Sequence, residues 1–272
     1  MKLLNVLSFS AILMTSVGFS QSNNPLYLDA NQPVQVRLDD LMSRMTLEEK
    51  VYQMNQFVGL DHMRQAEKNL SEEDLYSNDA QGFYKGLFSD DVAQMTKEGK
   101  IGSFLHVLTT EEANLLQELA FQSRLKIPIL IGIDAIHGNA LVSGTTVYPS
   151  PISLASTWSD AFLYDVGKQS AKEMRATGSH WAFTPNIDVL RDPRWGRVGE
   201  TFGEDPFMVG NMGAAMINGF QQGDFSGTEK VIACAKHMIA GGEPVNGLNA
   251  APMDVSLRTL KEVHLKPYKK SD

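Results

Sequence analysis

Short apolar runs alternate with longer amphipathic segments along the chain from Gly99 onward. The runs are apolar at nearly every position, as expected for strands covered on both faces, and the longer segments repeat apolar residues at helical spacing. This alternation predicts an α/β fold built on a parallel sheet with right-handed crossovers. The predicted strands are residues 101–107, 128–133, 181–185 and 231–235.

Helix signals lie before and between these strands. Thr46 and Glu49 have the spacing of a capping box, so residues 39–57 are expected to form two helical pieces, after a helix start near Pro33. Residues 67–97 are polar and lack sustained periodicity, which indicates a surface excursion around short helices. Further helices are predicted after Thr109 with Glu112 as its capping-box partner, at 160–177 before Gly178, after Pro206 and at 256–269.

Two architectures accommodate this pattern, an open doubly wound sheet and a closed barrel of eight strands. No glycine fingerprint for a dinucleotide follows any strand, so the open sheet lacks its usual ligand. The pattern holds about four strand and helix units against the eight of a closed barrel, so about half of a barrel is expected. Polar residues stand at the ends of successive strands, where barrel sites are built: His106, Asp134, Asn186 with Asp188, and Lys236 with His237.

Composition and charge narrow the possible partners. The 272 residues are 43% hydrophobic and 21% charged, an ordinary globular composition that argues against a disordered or fibrous chain. The net charge is −8 and no basic cluster interrupts it, so nucleic acid is not an expected partner. The single cysteine, Cys234, excludes an intrachain disulfide and lies in an apolar run, where a buried small hydrophobe is favoured over a nucleophile.

The first residues have the pattern of an export signal. Lys2 supplies a positive charge, residues 3–13 are mostly apolar, and small residues up to Ser20 precede a polar stretch. This predicts a signal peptide at residues 1–20, a mature chain from Gln21, and a periplasmic or secreted protein. A membrane anchor is the weaker alternative because the apolar core is too short to span a bilayer.

Three segments together resemble family 3 of the glycoside hydrolases, most closely its periplasmic β-glucosidases. They are Gly-Ile-Asp-Ala-Ile-His-Gly at 132–138, Arg-Asp-Pro-Arg-Trp-Gly-Arg at 191–197 with Glu-Thr-Phe-Gly-Glu-Asp-Pro at 200–206, and Ala-Lys-His at 235–237. The resemblance covers nearly everything from about residue 34 onward. It implies a retaining hydrolase without metal or cofactor, in which residues 21–272 form the N-terminal part of a (β/α)8 TIM-barrel-like domain followed by a second α/β domain.

The same resemblance implies a set of substrate-binding residues. Asp134 is expected to accept hydrogen bonds from sugar hydroxyls, while Arg197, Lys236 and His237 donate to others, as charge-assisted bonds orient a sugar ring firmly. Taken alone, Asp134 at a strand end is as readily explained as a helix cap. The expected ligands are β-linked glucosides or oligosaccharides.

Other notable residues have a structural explanation beside the functional one. Trp195 is explained about equally well as a platform for sugar and as a packing residue. His137 and His264 are taken as structural. Arg191 and Arg194 are expected to staple their loop by pairing with Asp192, Glu200 or Asp205.

Departures from the family pattern bear on activity. Residues 238–244 lack the signature of the family's hexosaminidase branch, and Glu243 stands where many glucosidases have an arginine. A retaining mechanism needs two carboxylates about 5 Å apart. By resemblance the nucleophile follows residue 272 and the acid/base belongs to the next domain, so this chain alone is expected to be inactive. A non-catalytic carbohydrate-binding remnant is the alternative function, and xylosidase specificity is also open.

Overall fold

The computed structural model describes residues 25–71, 73, 84–223 and 227–271. The predicted signal peptide lies outside these residues. The chain divides into two compact units, Met1–Met45 and Thr46–Asp272. In the described part of both units, no helix is long enough and apolar enough to cross a membrane.

The described part of the first unit is one helix and a short turn. The 3-10 turn Leu26–Leu28 precedes α1, Val34–Arg44, which begins directly after Pro33 as predicted. Tyr27 joins the two: its backbone N–H donates to Asp40 Oδ2 (3.1 Å), and its carbonyl accepts from Arg37 Nε (3.0 Å). Polar contacts therefore hold the turn against α1 in this unit.

In its described residues, the second unit is built on a parallel sheet of five strands in the order β1-β2-β3-β4-β5, so each strand after the first pairs with its predecessor in the chain. Helices lie between successive strands, and the predicted α/β, TIM-barrel-like class is confirmed. The strands are β1 Gln56–Val58, β2 Ser103–Leu105, β3 Leu130–Ile133, β4 Trp181–Ala182 and β5 Ile232–Ala233.

After residue 99 the predicted helices are present, and one short helix, Pro151–Ala155, was not predicted. Residues 67–97 were expected to be a surface excursion around short helices; Ser89–Lys97 is helical, and the end of the helix Leu60–Asn69 reaches into this stretch. A π-helical turn, Leu260–His264, joins the last two helices into one continuous rod. The helices are α2 Leu47–Tyr52, α3 Leu60–Asn69, α4 Ser89–Lys97, α5 Thr110–Ala120, α6 Pro151–Ala155, α7 Asp160–Ala176, α8 Pro206–Gln221, α9 Leu257–Thr259 and α10 Leu265–Ser271.

One strand was missed by the sequence pattern. Residues 56 and 57 were expected to end the second helical piece, but residues 56–58 form β1, which pairs in parallel with β2. The carbonyl of Asn55 accepts the N–H groups of Gly102 and Ser103 (both 3.2 Å). The helical prediction for 53–57 was therefore wrong, because three residues are too few to display a period of two. Over the part of the chain that the structure describes, the sheet has five strands where the pattern gave about four units.

The predicted helix caps are present with one correction. Thr46 and Glu49 form the complete capping box at α2. At α5, Thr109 Oγ1 accepts the N–H of Glu112, but the Glu112 carboxylate accepts the N–H of Asp61 (3.0 Å) at the start of α3. The second half of that predicted box is wrong, because the buried carboxylate caps a neighbouring helix.

Two hydrophobic clusters fill the second unit, and β3 belongs to both. Ile131 packs in the cluster around β1 and β2, whereas Ile133 packs in the cluster around β4, α7 and α8. Gly132 separates them: a Cβ at this position would lie 2.3 Å from the Phe183 ring, so only glycine leaves room for that aromatic side chain. The clusters thus meet along a single strand.

Helices α7 and α8 pack backbone to backbone through glycine. A Cβ on Gly219 would lie 2.2 Å from the Tyr164 carbonyl oxygen, and one on Gly167 would lie 2.6 Å from the Met216 carbonyl oxygen. The two helices can approach this closely because neither residue carries a side chain.

Candidate active site

The polar residues predicted at strand ends gather at one edge of the sheet. Pairing between β4 and β5 continues past the strands themselves, because Ile187 N–H donates to the Lys236 carbonyl (2.7 Å) and Lys236 N–H donates to the Pro185 carbonyl (3.1 Å). The carboxyl ends of parallel strands share one face of the sheet, which is where barrel enzymes build their sites. The structure therefore sets Asp188 and His237 beside each other at this edge.

Asp134, just past β3, is held by a cation and a histidine. Lys236 Nζ donates to its Oδ1 (2.6 Å), and His106 Nε2 lies 3.0 Å from its Oδ2. Burial of Asp134 opposes its ionisation, but the hydrogen bonds from His106 and Lys236 outweigh burial and lower its pKa to about 2. Side chains occupy both carboxylate oxygens, so the contacts do not favour a role as helix cap.

Arg197 and His237 form a second chain of contacts. Arg197 NH1 lies 3.2 Å from His237 Nε2, and His237 Nδ1 lies 2.9 Å from Asp188 Oδ2. Glu200 takes two hydrogen bonds from the Arg197 guanidinium, at 2.9 and 2.6 Å. The hydrogen bonds to Glu200 raise the pKa of Arg197 by more than burial lowers it, so the guanidinium stays positively charged.

The loop around residues 191–206 carries its own ion pair. Arg194 donates to both oxygens of Asp192 (3.0 and 2.7 Å), which confirms the expected loop-stapling role for this arginine. The other two expected partners make different contacts. Glu200 pairs with Arg197, and Asp205 accepts the first N–H groups of α8.

Trp195 is a packing residue. Its side chain is buried, its indole N–H donates to Asn249 Oδ1 (2.9 Å), and the Arg197 guanidinium carbon lies 5.8 Å from its ring centre. A ring enclosed in this way cannot also stack on a sugar, so of the two explanations only packing under Arg197 is supported.

The contacts of Cys234 and His264 favour structural roles for both residues. Cys234 is half-buried, and burial raises the pKa of its thiol, which disfavours the nucleophilic thiolate. His264 is buried and its Nε2 lies 3.0 Å from Glu243 Oε2. Glu243, which stands where many family 3 glucosidases have an arginine, therefore has a hydrogen-bond partner in His264.

Sequence reasoning left three residues of this site out of the predicted set. His106 and Asp188 were noted as polar residues at strand ends, and that position was the available signal. Glu200 lies three residues after Arg197, a spacing that also favours pairing. Each of the three holds a predicted binding residue in place.

The arrangement suits a polyhydroxylated ligand. The site has two chains of polar contacts: one links His106, Asp134 and Lys236, and the other links Arg197, His237 and Asp188. They are adjacent because Lys236 and His237 are neighbours in the sequence. Together they supply the ionised carboxylate of Asp134 and the cations of Lys236 and Arg197. Paired donors and acceptors of this kind orient hydroxyl groups. Within residues 25–71, 73, 84–223 and 227–271, no three His, Cys, Asp or Glu side chains are grouped to hold a metal ion.

Comparison with known proteins gives a consistent result. The profile described as "Glycosyl hydrolase family 3 N terminal domain" matches residues 46–271. A β-xylosidase of Formosa agariphila is 39% identical over 62% of this chain and 25% of its own length. A periplasmic β-glucosidase of Salmonella typhimurium is 29% identical over 91% of this chain and 28% of its own.

Solved structures agree. The β-glucosidase of Listeria innocua in complex with isofagomine superposes with a TM-score of 0.69 at 31% identity, covering 87% of this chain and 30% of that one. The chain spans only 18% to 40% of the length of the curated relatives it matches.

Proposed function

Because the chain belongs to glycosyl hydrolase family 3, whose N-terminal domain it matches over residues 46–271, we propose that it contributes the glycone-binding part of an enzyme that removes terminal non-reducing β-D-glucosyl residues. The substrates are β-linked glucosides or oligosaccharides. The observation that carries the proposal is Asp134, an ionised carboxylate held between Lys236 and His106 at the carboxyl edge of the sheet.

In this proposal Asp134, Arg197, Lys236 and His237 bind sugar hydroxyls. Removal of a glycosyl group passes through an oxocarbenium-like state, and hydrogen bonds to ring hydroxyls strengthen as that state forms. Charged partners make stronger bonds than neutral ones. The ring is thereby held in the orientation that the reaction requires.

Asp134 itself is unsuited to the two reactive roles of a retaining mechanism. With a pKa of about 2 it carries no proton to give to a leaving group near neutral pH. Both of its oxygens are engaged by donors, which lowers its reactivity as a nucleophile. We assign the nucleophile and the acid/base, about 5 Å apart in retaining enzymes, to other residues, which the family resemblance places after residue 272 and in the next domain.

The names of the relatives support glucose as the sugar that is removed and suggest xylose as a second candidate. A Salmonella relative is named as a periplasmic β-glucosidase, and Listeria β-glucosidase structures are described as complexes with glucose and with isofagomine. The Formosa relative at 39% identity is named as a β-xylosidase, so a terminal β-xylosyl group is the second candidate. The periplasmic relative also supports export, with residues 1–20 as signal peptide and a periplasmic or secreted location.

Calorimetric titration with glucose, xylose and isofagomine tests the binding role, alongside assays with aryl β-glucoside and aryl β-xyloside. We expect sugar binding that is lost in a variant combining Asp134→Asn and Arg197→Ala, and no turnover by this chain above that variant. Asp192→Asn is the control, because it removes a carboxylate from an ion pair outside the two chains of contacts. Equal sugar binding by the double variant would refute the glycone assignment, and turnover by the native chain above it would refute the placement of the carboxylate pair.

A further inference from the structure

We propose that Asp188 is a positioning residue that fixes His237 as a neutral imidazole protonated on Nδ1, so that Nε2 is presented at the site as a hydrogen-bond acceptor. The protonation state follows from geometry. Its consequence for sugar recognition rests on the proposed function.

The Nδ1 side of the ring faces an acceptor. Asp188 Oδ2 lies 2.9 Å from His237 Nδ1 and also accepts the backbone N–H of His237 (3.3 Å). A carboxylate offers only acceptor oxygens, so the hydrogen of this contact belongs to Nδ1. The Asp188 side chain is fully buried, which keeps water from competing for the bond.

The Nε2 side faces a donor. Arg197 NH1 lies 3.2 Å from Nε2, and a guanidinium has five N–H donors and no acceptor. Nε2 must therefore carry a lone pair toward Arg197. A second hydrogen on Nε2 would set two N–H groups against each other, so the ring is neutral in this arrangement.

Asp188 is itself held in its orientation. Its backbone N–H donates to Asn186 Oδ1 (2.9 Å). On the other side of the carboxylate, a Cβ on Gly241 would lie 2.8 Å from Asp188 Oδ1, so the main chain at Gly241 closes against it. A carboxylate confined in this way keeps one oxygen directed at His237, and the imidazole protonation is set before any ligand arrives.

The consequence differs from the role that the family resemblance implies for His237. Its one N–H is taken by Asp188, so His237 cannot donate to a sugar hydroxyl. Nε2 has one lone pair, and Arg197 occupies it here, so a sugar hydroxyl that reaches Nε2 must donate its own hydrogen in place of that contact. The released N–H of Arg197, like the ammonium of Lys236, can then donate to a sugar oxygen. Asp134 and His237 are then the acceptors of the site, and the bound sugar must supply hydroxyl hydrogens to both.

Nitrogen NMR of the histidine rings tests the assignment directly. The chain has six histidines, and the His237→Gln variant identifies the signals of His237 in protein labelled with 15N-histidine. Near neutral pH we expect a pyrrole-type Nδ1 and a pyridine-type Nε2. Signals of the opposite tautomer, or of a doubly protonated ring, would overturn the proposal from the wild-type protein alone.

Two substitutions separate the contributions of the neighbours. Asp188→Leu removes the acceptor at similar size and should abolish the pure Nδ1–H state, giving a mixture of tautomers. Arg197→Met should leave Nδ1 protonated, because the proposal makes Asp188 the residue that sets it. A tautomer that changes with Arg197→Met and persists in folded Asp188→Leu would show that the assignment to Asp188 is wrong.

Sugar binding provides the second readout. Asp188→Leu should weaken glucose or xylose binding about tenfold, since one hydrogen-bond partner is no longer correctly presented. If the wild-type protein binds neither sugar, the proposed function fails while the ring signals still decide the tautomer. If the sugar binds with unchanged affinity in folded Asp188→Leu, the functional part of the inference fails alone.

Discussion

At the scale of single residues, the contacts of Asp134 carry most of the functional argument. A lone aspartate after a strand has several explanations, but one whose two oxygens meet a lysine and a histidine is an ionised acceptor held in a fixed orientation. Its partners lie 28 and 102 residues away in the sequence. No local pattern indicates contacts at such separations, so the strand-end positions suggested that these residues share one face but did not predict that Lys236 and His106 hold Asp134.

Replacing Asp134 with asparagine should weaken binding of the sugar about tenfold to a hundredfold. The amide keeps the size but loses the charge, and hydrogen bonds to charged groups contribute about 1.5 to 3 kcal/mol. Calorimetric titration with the sugar that binds wild type measures the change. The control variant Asp192→Asn should bind the sugar as tightly as wild type does. Equal affinities for wild type, Asp134→Asn and Asp192→Asn would show that Asp134 has only a structural role.

Asp134 should also give stability a defined pH dependence. Its folded pKa of about 2 lies below the ordinary value of about 3.9, so its contribution is fully present above about pH 4 and is lost as pH falls toward 2. Urea unfolding of wild type and Asp134→Asn at pH 7, 5 and 3 measures the difference in free energy of unfolding. We expect that difference to be the same at pH 7 and 5 and smaller at pH 3. A difference that grows at pH 3 would contradict the lowered pKa.

At the scale of elements, sequence reasoning succeeded where segments were long or apolar. Helix α7 was predicted to within a residue, because its apolar spacing is regular and Gly178 follows it in a left-handed conformation (φ 94°). All strands from β2 onward were located, although each is shorter than its apolar run. Strand β1 was missed because it is stabilised by pairing with β2, and the sequence of a three-residue segment does not indicate which strand it pairs with.

The contact between α7 and α8 should be intolerant of a single methyl group. In Gly219→Ala the new Cβ meets the Tyr164 carbonyl at 2.2 Å, so the helices must separate. Overpacking typically costs about 1 to 3 kcal/mol, which should exceed the ~1 kcal/mol that alanine adds within a helix. The free energy of unfolding in urea measures the net loss.

Gly199→Ala is the control for this substitution, because no atom lies within 4 Å of its added Cβ. It should change the free energy of unfolding by less than about 0.5 kcal/mol. If Gly219→Ala proves as stable as Gly199→Ala, the close approach of the two helices is not required by the fold.

At the scale of the whole molecule, β3 joins the two hydrophobic clusters of the second unit. Ile131 and Ile133 are both buried but belong to different clusters. Because one strand of four residues serves both, the clusters should lose their structure together rather than in turn.

Ile133→Ala should therefore lower the free energy of unfolding by about 2 to 5 kcal/mol within a single cooperative transition. Ile232→Ala, at a position that is 37% exposed, should cost much less. Urea unfolding followed by both tryptophan fluorescence and circular dichroism measures the two changes. Two separate transitions, with only one shifted by Ile133→Ala, would show that the clusters are independent.

The order of the strands has a consequence for the growing chain on the ribosome. Since β1 to β5 lie in the sheet in the order in which they are translated, each new strand adds beside the one before it, and no earlier pairing has to open. Asp134 is nevertheless made 102 residues ahead of Lys236. At about 5 to 20 residues per second, its carboxylate spends roughly 5 to 20 seconds of synthesis without the lysine that later neutralises it. The ion pair of Asp134 with Lys236 therefore forms only after the fifth strand and the residues that follow it have been made.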